Sequence, residues 1–247
     1  MSPEIYYLLS YSIFPNSYFI YFHINNSLTI YRFFVDNILM ISHKYKCIYI
    51  HIPKCAGTSI SRTLESNGER KFEKDLCIWT QHATAIQIKK HYVNEEQWNN
   101  YFKFAIVRNP FDRIVSSYNW TCRHLKPCNF RDRMYFKDFI FRKGKFENIL
   151  NPNLIMKREN TYVHIQPSTD FIMDENNKLM IDYVGRFENL KNEWDFICEK
   201  LGTKIKLSHL NKYSRDNKEY RDYYNDETRE FVSKAYEKDL KIFGYEF

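Results

Sequence analysis

From residue 40 onward, apolar residues fall into short runs separated by polar, Gly and Pro punctuation. Residues 46–52 (KCIYIHI) form an unbroken β-rich run stopped by Pro53, the pattern of a buried strand. Residues 58–67 place Ile60 and Leu64 one helical turn apart. Gly68 then stands where a helix end favours a residue free to take positive φ. Residues 102–107 (FKFAIV) read as a second buried strand. Directly after it, Asn109, Pro110 and Asp112 mark a helix start: a side-chain acceptor at the N-cap, proline at N1 and a carboxylate in the first turn. A turn at 174–177 precedes a third apolar run at 180–187. Leu190, Trp194, Ile197 and Leu201 recur at helical spacing, with Gly202 as the stop. A last helix is expected at about 226–240, turning Phe231, Val232, Ala235 and Tyr236 inward. Strands alternating with helices predict an α/β fold with a parallel sheet. Ligands of such sheets bind beyond the carboxyl ends of the strands, which directs attention to residues 53–59 and 108–116.

The first 39 residues do not share this pattern. They hold 17 Ile, Phe or Tyr, no Lys, no Gly and no Cys, and their only charges are Glu4, Arg32 and Asp36. A transmembrane helix needs about 18 or more predominantly apolar residues. Here Pro15, Asn16, His23, Asn25, Asn26 and Arg32 interrupt every run. A signal peptide would need a basic start, an unbroken apolar middle and a small-residue cleavage site, and none is present. The composition is that of A/T-rich upstream codons read as protein, with translation starting at Met40. A membrane-associating segment is the competing expectation. The domain division is therefore an extension at 1–39 and one domain at 40–247.

Composition narrows the class. Of 247 residues, 44% are hydrophobic and 27% charged, near the globular norm, which excludes a disordered chain and a multi-span membrane protein. Aromatics reach 18%, while glycines number only 6, so each glycine is expected where the backbone requires it. The formal charge is +7, and over 40–247 it is 36 basic against 28 acidic residues, +8. Such an excess suits an anionic ligand but no nucleic acid, since there is no run of five basic residues and no zinc-finger spacing. Six cysteines without a CxxC pair are expected to be mostly reduced. Cys122 and Cys128 are the one pair close enough in sequence to suggest a disulfide.

Two elements carry candidate chemistry. Pro53-Lys54-Cys55-Ala56-Gly57-Thr58-Ser59 joins a strand to a helix, so successive N–H groups and the positive helix end face one spot. Gly57 permits close approach, Lys54 adds a compact cation, and Thr58 and Ser59 add hydroxyls; an ordinary capped βα turn is the plainer alternative. It is not a Walker A loop, because the one Gly-Lys pair, Gly144-Lys145, is followed by Phe146 and has no partner glycine. In the second element, IVRNPFDRIVSSY at 106–118, Arg108 at a strand end would present its fork to an anion. Asn109, Asp112 and Ser116 share one helical face, so Ser116 can look back toward Arg108. A buried structural ion pair is the other role open to Arg108.

HIPKCAGTS, followed about fifty residues later by VRNPFDRIVSSY, resembles the two donor-binding motifs of carbohydrate sulfotransferases. These enzymes use 3′-phosphoadenosine 5′-phosphosulfate (PAPS). The likeness includes bacterial members and the uronyl 2-O and chondroitin-type enzymes. It continues through DYVGRFENL at 182–190 and the last 28 residues, so it covers essentially all of 40–247. The resemblance implies a P-loop-like three-layer α/β fold with a central, mostly parallel sheet flanked by helices. It also implies that relatives begin at a Met a few residues before the first strand, as Met40 would here. By the same likeness, Lys54 meets the phosphosulfate bridge, while Cys55, Ala56, Gly57, Thr58 and Ser59 hold the 5′-phosphate. Arg108 and Ser116 hold the 3′-phosphate, and Arg215 belongs to the loop over the donor. The family usually has Thr at the position of Cys55, so a weaker phosphate contact is expected. His82 is the expected general base, with His91, His124 and Glu65 as other candidates. Lys54 is the expected cation for the leaving phosphate. The basic stretch Arg123, Lys126, Arg131, Arg133, Lys137, Arg142, Lys143 and Lys145 lines either an acceptor cleft or a solvated helix face. Glu188 is expected to be structural.

The implied activity is sulfuryl transfer from PAPS to a carbohydrate hydroxyl, with an anionic polysaccharide as a suitable acceptor and no metal. The expected setting is cytoplasmic, at the inner membrane face by peripheral contact, or anchored through residues 1–39. A non-catalytic nucleotide- or glycan-binding module, hinted at by Cys55, and another P-loop-like phosphotransferase are the competing classes.

Overall fold

A computed structural model describes residues 10–11, 17–24, 27–34, 41–65, 82–125, 133–154, 161–207 and 219–247. Within the first 39 residues, strands β1 (Ser10–Tyr11), β2 (Ser17–Ile24) and β3 (Ser27–Phe34) pair antiparallel into a sheet of their own. Among the described residues no helix is long and apolar enough to cross a membrane.

The main sheet has the order β4 (Ile41–Ser42), β5 (Cys47–Ile50), β6 (Phe102–Val107), β7 (Tyr183–Arg186). Strand β4 is an antiparallel edge, and β5, β6 and β7 run parallel. The predicted α/β class with a mostly parallel sheet is therefore the observed one. Both central strands are buried, β5 at all four positions and β6 at all but its first, which is why they are predominantly apolar. Tyr49 and Phe104 lie opposite one another in register and stack at 5.1 Å. Removing side chains of this size from water contributes about 2 kcal/mol each. Lys103 is the one cation within the FKFAIV run. Its ammonium is satisfied by the Trp98 and Tyr101 carbonyls and by Asp182 at 2.9 Å.

Helix α1 (Gly57–Glu65) follows β5, and α2 (Ala85–His91) and α3 (Glu95–Asn100) lead into β6. Helix α4 (Pro110–His124) leaves β6 with Asn109 as N-cap, its side chain accepting from the Phe111 N–H, as the sequence predicts. Short helices α5 (Phe136–Ile140) and α6 (Thr169–Ile172) precede β7, and α7 (Leu190–Lys200) follows it. The predicted third strand is shorter than expected, and the α7 stop at Gly202 has φ +62°.

The predicted single last helix is two: α8 (Asp226–Ala235) and α9 (Glu237–Phe243), broken where Tyr236 leaves helical geometry at φ −117°, ψ 21°. Val232 and Tyr236 are buried as expected, whereas Phe231 and Ala235 are exposed. Gly68, the expected end of α1, lies outside the described residues. Cys47, Cys55 and Cys198 are free and buried, in keeping with mostly reduced cysteines; Cys122, one of the pair singled out from the sequence, is disulfide-bonded, and Cys128 lies outside the described residues.

Parallel register brings the carboxyl ends of β5, β6 and β7 to one edge of the sheet. Ile50 is opposite Ala105, and Val107 is opposite Arg186. Residues 51–57, 108–110 and 187–189 therefore emerge together.

Candidate active site

At the end of β5 the chain turns back sharply. Lys54 (φ +66°) and Ala56 (φ +63°) both take the left-handed conformation. Left-handed residues interspersed in a turn rotate successive N–H groups toward one side, making a concavity for an anion. The Ser59 and Ile60 N–H groups both return to the Ala56 carbonyl, at 2.9 and 3.1 Å. Gly57 and Thr58, the first two residues of α1, have N–H groups with no protein acceptor among the described residues. Gly57 is required by contact rather than by backbone conformation: its φ is not positive, but a Cβ there would sit 1.6 Å from His51 Nε2.

Cys55 faces the other way. Its side chain is fully buried in the core, its thiol donates to the Pro53 carbonyl at 3.5 Å, and burial pushes that thiol up to about 12. A side chain so directed offers a bound anion only its backbone.

Arg108 closes the second side. Its Nε donates to Asp112 Oδ2 at 2.7 Å, its Nη1 donates to the Lys54 carbonyl at 3.0 Å, and the guanidinium lies 4.1 Å from the Phe187 ring centre. The structural ion pair weighed for Arg108 is thus present, and it fastens the Lys54 turn to α4. These contacts still leave other donors of the five-donor fork to face an anion. Ser116 lies half-buried one turn beyond Asp112 on the same face. Glu188 accepts from the Asn109 N–H and from the Tyr245 hydroxyl, both at 2.8 Å, which ties the β7 end to the α4 start. That is the structural role expected of it.

His82 is buried and packs edge-on to His51 at 4.4 Å between ring centres. Its Nδ1 lies 2.9 Å from the His51 carbonyl, which can only accept, so Nδ1 carries the proton and Nε2 keeps its lone pair. His164, from a 3-10 turn at Tyr162–Ile165, packs against His82 at 5.4 Å and Trp120 at 4.7 Å. Burial first, and then Lys54 and neighbouring imidazoles, hold His51 and His164 well below the usual histidine value, and burial holds His82 at about 4. All three are neutral at pH 7. Lys54 is lowered to about 7, by burial first and then by the Arg108 charge. Among the described residues no group of three or more His, Cys, Asp and Glu side chains is arranged to hold a metal ion.

The sequence model of the sulfotransferase family matches residues 37–246. The chain belongs to the sulfotransferase family. It is 23% identical over 264 residues to carbohydrate sulfotransferase 10 of Xenopus laevis, covering 90% of this chain and 71% of that protein. It is 22% identical over 186 residues to carbohydrate sulfotransferase 14 of Danio rerio, covering 66% of this chain and 48% of that protein. No solved structure matches it.

On this sulfotransferase-family scaffold, His82, Lys54, the 55–59 turn and Arg108 come together, with Ser116 one turn further along α4. Arg215 lies outside the described residues, as do Lys126 and Arg131. Of the competing bases, His124 is exposed and donates from Nδ1 to the Trp120 carbonyl at 2.9 Å, and His91 is exposed at the end of α2. Glu65 is the last residue of α1. The described residues of the basic stretch go to different partners. Arg123 is near enough to Lys54 to lower its proton affinity, but Lys137 pairs with Glu227 at 2.5 Å, and Lys145 sits over the Tyr135 ring. Arg142 instead helps line a 260 Å³ apolar cavity with Tyr162 and Tyr236. Sequence reasoning missed His51, Trp120 and His164 as parts of the site. His51 had a signal, lying six residues before Gly57 in the same motif; His164 had none, because a lone histidine in a polar loop has no local pattern.

Proposed function

We propose that this sulfotransferase-family chain transfers a sulfuryl group from PAPS to a hydroxyl of a carbohydrate acceptor. The observation that carries the reading is His82: its Nδ1–H is used by the His51 carbonyl, which leaves Nε2 as an acceptor beside the Lys54 turn. The carbohydrate class comes from the two relatives, both of which are named for it.

In this reading the donor's 5′-phosphate lies against the Gly57 and Thr58 N–H groups, and Arg108 with Ser116 meets the 3′-phosphate. The acceptor oxygen attacks sulfur as its proton passes to His82 Nε2. The sulfur–oxygen bond to the 5′-phosphate breaks in line, and Lys54 offsets the charge left on that phosphate. The low proton affinities of His82 and Lys54 belong to a site without an anion; a polyanion between them raises both and favours the imidazolium that forms. Cys55 does not favour a non-catalytic module, since its thiol lies in the core and only its N–H is offered to the phosphate.

The test is label transfer from radiolabelled PAPS to a panel of desulfated polysaccharides. Transfer by the unaltered chain is expected. His82→Gln should still bind adenosine 3′,5′-bisphosphate while turnover drops roughly 100-fold or more. Near-normal turnover in that variant would remove His82 as the base, and label transfer to no acceptor would overturn the activity.

A further inference from the structure

We propose that Trp120 is the positioning residue for Lys54: its indole face holds the ammonium at the mouth of the phosphate turn. The inference rests on the reading of Lys54 as the residue that meets the donor. It extends that reading to a residue that neither motif chemistry nor the histidine cluster assigns.

The geometry is that of a platform with a backing. The Lys54 ammonium lies 5.1 Å from the Trp120 ring centre, within the range of a cation–π contact. His124 stacks on the same indole at 4.5 Å and 20°, and its Nδ1–H is fixed on the Trp120 carbonyl. His164 meets the indole edge-on at 79°. Ring rotation is therefore blocked by two imidazoles from different segments. The placement on α4 adds a second constraint. Asp112, Ser116, Trp120 and His124 recur every fourth residue and so share one helical face. From that face Asp112 holds Arg108, and Arg108 holds the Lys54 backbone carbonyl. One helix thus grips Lys54 by its backbone through Arg108 and by its side chain through Trp120.

The electrostatic surroundings explain why an aromatic face is needed. Arg108 and Arg123 both disfavour a further positive charge on Lys54, and the nearby imidazoles of His51, His82 and His164 are neutral. The Cys55 thiol, fully buried, is protonated at neutral pH and supplies no countercharge. Among the described residues no carboxylate forms an ion pair with Lys54. The π face of Trp120 is then the feature that favours the charged form until an anionic donor arrives.

The experiment measures Lys54 directly, independent of turnover. Competitive acetylation of the native chain by acetic anhydride, between about pH 5.5 and 9, gives the titration of Lys54 from the mass spectrum of its peptide. In Trp120→Leu the midpoint is expected to fall by about half a unit to one unit, so that well below the midpoint, near about pH 5.5, neutral amine rises about three- to tenfold. Trp120→Tyr and Trp120→Phe should fall in between, since the indole is the best of the three faces. An unchanged Lys54 titration in a natively folded Trp120→Leu overturns the proposal. If that variant does not fold, unchanged titrations in both aromatic variants overturn it equally. Sulfuryl transfer is assayed in parallel: if the unaltered chain moves no label, the activity fails, while the acetylation series still decides the role of Trp120.

Discussion

His51 occupies the space that any side chain at residue 57 would need. Gly57→Ala would drive a methyl group into that imidazole at 1.6 Å, so the ring must leave its place between Tyr49 and His82. Overpacking of this kind costs about 1–3 kcal/mol, and a loss toward the upper end is expected because the His51 carbonyl also holds His82. Adding His51→Ala to that variant should restore part of the loss by vacating the space. The neighbouring substitution has the opposite sign. Ala56 holds φ +63°, a conformation that costs a residue with a Cβ about 1–2 kcal/mol, so Ala56→Gly should raise stability by up to about 1 kcal/mol after its entropic cost. Urea unfolding of the three variants checks both signs. A neutral Gly57→Ala would mean that His51 moves aside freely.

At the scale of elements, one buried carboxylate holds the segment that carries His164. Asp239 on α9 is fully buried and accepts from the Ser168 N–H at 2.6 Å, the Thr169 N–H at 3.0 Å and the Thr169 hydroxyl at 2.8 Å. The Tyr236 hydroxyl donates to the Ile165 carbonyl, and Arg113 donates to the His164 and Gln166 carbonyls. Asp239→Ala leaves three donors unpaired in the interior and should cost about 3 kcal/mol or more in urea unfolding; a loss below about 1 kcal/mol would contradict the assignment. These ties also show what the chain could and could not disclose. Strands β5 and β6, the Asn109 cap and the α7 stop were legible because each has a local cause: an apolar run, a proline or a glycine. Helices α2 and α3 went unread although both open on capping boxes, Thr84 with Gln87 and Asn94 with Gln97, which are sequence signals in their own right. The break at Tyr236 was not legible, because its hydroxyl bonds to a residue 71 positions away. His82 and Lys54 were legible through motif spacing. Trp120 and His164 join them only through packing of α4 against the Tyr162–Ile165 turn.

For the molecule as a whole, the three neutral histidines set a limit on acid stability. In the unfolded chain each titrates near the ordinary value of about 6.5, whereas in the fold His82 binds its proton only near about 4 and His51 and His164 lie well below normal. Between those values the unfolded state binds more protons than the folded one, so stability rises with pH through the window and falls as the medium is acidified. Above about pH 6.5 the contribution is complete. Each group that is protonated only when unfolded removes about 1.4 kcal/mol per pH unit, so three together remove up to about 4 kcal/mol per unit. Against a total stability of about 5–15 kcal/mol, unfolding should begin near pH 5, before most carboxylates titrate. The formal +7 acts in the same direction, since every added proton increases self-repulsion. Lys54 has the same sign in a higher window: held near about 7, it lets stability climb from neutrality toward its unfolded value of about 10.4. Thermal unfolding followed from about pH 7.5 down to 4.5 should show a midpoint that drops steeply below about pH 6, and His82→Gln should lessen the slope by about one proton. A midpoint that stays level to pH 5 would mean that the buried imidazoles take up protons without leaving the fold.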